Sequence, residues 1–230
     1  MKKLVLTFLI LLFISNYTWS RDLTIGEQAY FDGKYSVALS ELTLDAKNDN
    51  DFAQYLLGRM FMNGMGVDQN LETGIYWYTL AAEQGNMPAQ YALGIFYDTN
   101  GTQIDHKSSV KWYLLAAEQG YDRAQHNLAI KYKNGEGVIQ DYETAFNLYL
   151  LAGEQGLYAS QASLGEMYEN GYGTTKDYVY AHMWGNIASS GGNKRGGYVR
   201  DRVQSHMSSE EIFTAHKLAR DCITKNYKNC

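Results

Sequence analysis

Few residues in this sequence have types and spacing suited to chemistry. Ser108-Ser109-Val110-Lys111 sets a lysine one helical turn after a serine, where an amine can take the proton of a hydroxyl nucleophile. Tyr168-Glu169-Asn170 offers a phenol and an amide beside it. Ser108, however, falls in the expected first turn of a helix, where serine is common, and no Lys-Thr-Gly element exists. The histidines are His106, His126, His182, His206 and His216, and none pairs with a second histidine or a cysteine three or four residues away. No metal site or cofactor is therefore expected. Glu83, Glu118 and Glu154 invite a paired-carboxylate reading, but they recur at one site of a repeating unit, so they serve the unit.

That recurrence leads to the elements. Ala53-Gln54-Tyr55-Leu56-Leu57-Gly58, Ala89-Gln90-Tyr91-Ala92-Leu93-Gly94, Ala124-Gln125-His126-Asn127-Leu128-Ala129 and Ser160-Gln161-Ala162-Ser163-Leu164-Gly165 align. Leu57, Leu93, Leu128 and Leu164 are spaced by 36, 35 and 36 residues. Trp77, Trp112, Leu148 and Trp184 share a second register. Between them lie Asn63-Gly64-Met65-Gly66, Asn134-Gly135-Glu136-Gly137 and Asn170-Gly171-Tyr172-Gly173, with a shorter turn near Asn100. A fixed period of this length marks a repeat architecture.

Each unit reads as helix, glycine turn, helix, glycine. Ala53, Leu57 and Phe61 fall at i, i+4 and i+8, one face of a helix. Asp105, Asp141 and Asp177 stand where the second helices need N-caps. Gly85, Gly120 and Gly156 suit the left-handed residue that ends a helix. One helix pair cannot bury its apolar face alone, so the units must stack.

The pattern Ala-x-x-x-Leu-Gly-x-x-Tyr, Asn-Gly-x-Gly-Val, Asp-Tyr-x-x-Ala and Trp-Tyr-x-x-Ala-Ala-Glu-x-Gly resembles the Sel1-like repeat family, a relative of the tetratricopeptide repeats. The resemblance implies an all-α, right-handed superhelical solenoid of stacked antiparallel helix pairs. It covers four units, residues 51–85, 86–120, 121–156 and 157–192. Ala129, Ser160 and Leu148 depart from it locally. Some Sel1-like proteins are tied to penicillin binding, which keeps a β-lactam-binding or hydrolysing cell-wall enzyme, acting through Ser108 and Lys111, as one alternative to an interaction module; a structural component of an envelope complex is the other. Those relatives carry a disulfide in each repeat, and these repeats contain no cysteine.

The ends differ from the middle. Met1-Lys2-Lys3, a mainly apolar run from Leu4 to Ile14 and small residues near Ser20 read as a secretory signal peptide over residues 1–20. Export to the periplasm or the medium is expected, without membrane insertion after cleavage. Without those residues 18 basic face 25 acidic groups, a net charge of −7. Nucleic acid and anionic lipid are thus poor partners. Residues 21–50 read as a capping helix pair, and residues 193–230 as capping helices in which Ile212, His216, Ala219 and Ile223 form the inward stripe. Cys222 and Cys230 are placed to staple the tail by a disulfide.

Function in a solenoid should lie on positions that vary between units. On the face of the first helices away from the core these are Tyr55, Arg59, Met62, Tyr91, Ile95, Asp98, His126, Ile130, Lys133, Glu166 and Glu169. In tetratricopeptide-like stacks that face is concave. The expectation is an exposed apolar, aromatic strip (Tyr55, Met62, Tyr91, Ile95, Ile130) that binds a protein or peptide, with Glu166 and Glu169 giving an acidic far end.

Overall fold

The computed structural model describes residues 23–99 and 104–230. The signal-peptide reading and the second repeat's turn at 100–103 lie outside them. The described residues form twelve helices and no strand. A capping pair, α1 (Ile25–Phe31) and α2 (Tyr35–Lys47), comes first. Four repeat pairs follow: α3 (Asp51–Asn63) with α4 (Leu71–Glu83), α5 (Met87–Thr99) with α6 (His106–Glu118), α7 (Asp122–Asn134) with α8 (Tyr142–Gly153), and α9 (Tyr158–Asn170) with α10 (Tyr178–Ser190). The chain ends in α11 (Lys194–Gln204) and α12 (Ser209–Thr224). The fold is an all-α solenoid of stacked helix pairs.

The caps follow from the sequence. Asp105, Asp141 and Asp177 each accept two backbone N–H groups at the starts of α6, α8 and α10. Ser208 and Glu211 close a capping box on α12, and Thr24 with Glu27 closes an unforeseen one on α1. The second glycine of each turn has a reason beyond chain reversal. Gly173 has φ +67° and abuts the Tyr142 carbonyl, as Gly137 abuts His106 and Gly66 abuts Tyr35. Each of these three turns therefore rests on the start of the preceding unit's second helix, where no β-carbon fits.

Two compact units divide at Leu80/Ala81. In the first, Ala38, Leu42, Ala53, Leu56, Leu57 and Met60 form the core, and Gly58 lets the Tyr78 ring lie directly on α3. In the second, Ala145, Tyr149, Leu164, Met167, Met183 and Trp184 form one cluster, and Val110, Tyr113, Ala116, Ala124 and Leu128 another. The marker glutamines link successive repeats: Gln90, Gln125 and Gln161 donate to the carbonyls of Ala82, Ala117 and Gly153 at 3.0, 3.2 and 2.9 Å. Each adds a second hydrogen bond to a carbonyl in the last turn of the preceding helix, one already bonded to the glycine N–H that follows it, and so ties one repeat to the next.

At the C-terminus, Gly185 takes the register held by Tyr78, Tyr113 and Tyr149. Its missing side chain, with that of Gly196, lets α11 press against α10. The inward stripe of α12 differs from the expected one. Ala215, Ala219 and Cys222 are buried, whereas Ile223 is exposed. The Cys222–Cys230 disulfide explains the rotation: it turns Cys222 inward and lays Cys230 and Tyr227 against the core.

Candidate functional site

Between the third and fourth repeats lies a cavity of about 370 Å³. Lys133 and Asn134 from the end of α7 form one side, with Gln140 just before α8, Tyr142 at its start and Tyr149 further along it. Ser163, Glu166, Met167 and Asn170 of α9 form the other side, closed by Tyr172 of the next turn. Tyr142 and Tyr172 stack at 4.7 Å and 12°, a pairing set by the approach of Gly173 to Tyr142. Gln140 donates to the Lys133 carbonyl at 2.8 Å and to the Tyr142 hydroxyl at 3.1 Å. Asn134 and Asn170 donate to Glu136 and to the Glu166 carbonyl, both at 2.8 Å. Burial pushes the Tyr149 phenol up to about 12, so it stays neutral and can only share hydrogen bonds.

Lys133 and Glu166, each placed by the sequence on the face of its first helix away from the core, both line this groove. Glu166 is not a free acid. Both its oxygens are gripped by Arg195 of α11, and Glu169 is gripped likewise by Arg202. The acidic far end expected from the sequence is neutralised by the C-terminal cap, because Gly185 and Gly196 bring α11 within reach. Such bidentate pairs combine charge with fixed geometry.

The apolar strip is also less open than expected. Tyr55 stacks on Tyr78 at 5.9 Å, and Arg59 lies over the rings of Tyr30 and Tyr55 at 5.6 and 5.8 Å. Met62 closes onto Gly74. Tyr91 packs on Tyr113 and Tyr121 at 5.9 and 5.2 Å, and Ile130 packs against the core. Only Ile95 of the five counts as exposed. The physical reason is one contact used three times: Tyr55, Tyr91 and His126 each lean on the tyrosine of their own unit's second helix. His126 sits 5.3 Å from Tyr149 and 2.8 Å from the Ser160 hydroxyl. Burial, aided by Arg195 and Lys133, lowers its pKa to about 4.

Asp98 belongs to a different arrangement. It pairs with Lys131, whose ammonium also meets Glu136 at 2.7 Å, and with His106 at 3.0 Å. Ligand atoms of Asp98, His106 and Glu136 lie within 4.8 Å of one another, but the cation they surround is Lys131. Sequence reasoning missed this cluster. Its signal was a lysine where the other repeats have Met60, Phe96 and Met167. Arg195 was missed too, since no repeat register assigns it a place.

Ser108 and Lys111 do not meet as a catalytic pair would. The Ser108 hydroxyl donates to its N-cap, Asp105, at 2.6 Å, and the Lys111 ammonium lies 5.0 Å over the Trp112 ring. Tyr168 is packed between Phe146 and Tyr180.

A family model described as Sel1 repeat matches residues 51–86, 88–121, 122–157 and 159–193. The crystal structure of a Sel1 repeat protein from Oxalobacter formigenes is similar with a TM-score of 0.75 and 28% identity, over 85% of this chain and 83% of that one. A protective antigen present in uropathogenic Escherichia coli strains, displaying an SLR fold, gives a TM-score of 0.55 and 27% identity over 84% of this chain. A putative sel1-like repeat-containing protein of Acanthamoeba polyphaga mimivirus is 42% identical over 52 residues, 23% of this chain. The chain spans 10% of the mimivirus protein in that match, and its likeness to the antigen covers 50% of that chain.

Proposed function

This chain belongs to the Sel1 repeat family, and we propose that it is an exported interaction module of the cell envelope that holds a protein or peptide partner in the groove between its third and fourth repeats. Sel1 repeats commonly serve as interaction modules. The observation that carries the reading is the groove itself: a 370 Å³ opening lined by stacked tyrosines, amides and charge, in which Lys133, Tyr142, Glu166, Met167 and Tyr172 stand at positions that change from repeat to repeat. Positions that recur, such as Gln125 and Gly137, are consumed by stacking. Export is supported by the basic and apolar start of the sequence and by the Cys222–Cys230 disulfide, a bond that persists in oxidising compartments.

The test is affinity capture from envelope extract with residues 21–230, beside a Lys133→Glu, Tyr172→Ala variant. A partner captured by the first and lost by the second is expected. Capture unaffected by the variant would place the binding surface elsewhere.

A further inference from the structure

We propose that the groove selects its partner by an acidic side chain, seated on Lys133 with its hydrocarbon stem against Met167 and the Tyr142–Tyr172 stack. The inference rests on the groove being the partner's site. Its source is a comparison of two junctions built to one plan. In repeat register, Asp98, His106, Lys131 and Glu136 of the second–third junction correspond to Lys133, Tyr142, Met167 and Tyr172 of the third–fourth.

At the earlier junction all four groups are ionisable and mutually satisfied. The Lys131 side chain is 4% exposed, and its ammonium lies between Asp98 and Glu136, with His106 also on Asp98. At the later junction the sign on α7 is reversed, because Lys133 stands where Asp98 stood. The counter-charge is gone, because Met167 stands where Lys131 stood. Among the described residues Lys133 has no ion-pair partner, and the space beside it is open. The one carboxylate lining the groove, Glu166, has both oxygens committed to Arg195, so that pair adds no net charge. A single uncompensated positive charge remains, in a recess screened less by salt than a flat surface.

A carboxylate entering there makes a charge-assisted hydrogen bond. A basic group would instead meet both Lys133 and Arg195. A volume of 370 Å³ admits one or two side chains of a peptide segment.

The test is to pan a phage-displayed random heptapeptide library on the full chain and on Lys133→Met and Lys133→Glu variants. Both substitutions are residues the chain itself uses in this register, at Met62 and Glu169, and circular dichroism checks their folding. We expect aspartate or glutamate enriched at one peptide position on the unaltered chain, and a basic residue there on Lys133→Glu. The best acidic peptide should bind Lys133→Met about tenfold more weakly. Enriched peptides with no acidic preference, or with one that Lys133→Glu leaves unchanged, overturn the inference and leave the groove as a peptide site. No enrichment on any variant overturns the peptide-groove reading and this inference together.

Discussion

The buried ammonium of Lys131 is seated on the carboxylate of Asp98, joining the second and third repeats through a charge pair where the third and fourth meet through Met167. Such a pair costs desolvation to form and more to break on one side. Lys131→Met alone leaves Asp98 and Glu136 near each other without their cation, and should destabilise the fold by about 3 kcal/mol. Asp98→Met added to it copies the residues at Met62 and Met167 and should recover much of that loss. Urea unfolding of the single and double variants measures both. Equal losses would show that the pair is not coupled as described.

His126 makes stability pH-dependent. Its pKa is about 4 in the folded protein, against about 6.5 in an unfolded chain. The unfolded chain therefore binds more protons as pH falls from 6.5 to 4, and stability drops across that window by about 3 kcal/mol. His182, lowered by burial and by His216 beside it, adds to the same slope. His126→Tyr, matching Tyr55 and Tyr91, should flatten the profile of melting temperature against pH. An unchanged slope would assign the titration elsewhere.

Gly173 and Gly192 separate two costs of replacing a glycine. Both have positive φ, +67° and +86°, but a β-carbon meets the Tyr142 backbone at Gly173 and nothing within 4 Å at Gly192. Gly192→Ala should lose about 1 kcal/mol, the price of the left-handed conformation alone. Gly173→Ala should lose at least twice that and unstack Tyr142 from Tyr172, which near-ultraviolet circular dichroism would register. Equal losses at the two sites would contradict the close approach.

Removing the staple should loosen the C-terminal cap. Cys222→Ala with Cys230→Ala should lower stability by roughly 2–3 kcal/mol by the loop-closure argument. Reductant should lower the melting temperature of the unaltered protein and leave that of the variant unchanged. A reductant effect of equal size in both would contradict the assignment.

The repeats were legible because their signals are local. Asp105, Asp141 and Asp177 cap helices a residue or two away, and Gly85, Gly120 and Gly156 end them with φ near +90°. The site was legible only in part. Helical periodicity places Lys133 and Glu166 each on the outer face of its own helix, which a sequence shows. That Glu166 is neutralised by Arg195 depends on how closely α11 approaches α10, a tertiary matter decided at Gly185 and Gly196. The half-burial of Tyr55 and Tyr91 was hidden for a similar reason: the rings they lean on, Tyr78 and Tyr113, are 23 and 22 residues away in sequence. Lys131 could have been noticed as a charge in an apolar register, but its partners Asp98 and Glu136 lie on α5 and in the turn after α7.

The most direct test of the groove is site-specific photocrosslinking in cells that make the protein. A benzophenone amino acid would replace Tyr172 at the groove or, as control, the exposed Leu114 of α6. A protein adduct formed from position 172 and absent from position 114 is the predicted result. An adduct from position 114 alone, or none from either, would contradict a partner held between the third and fourth repeats.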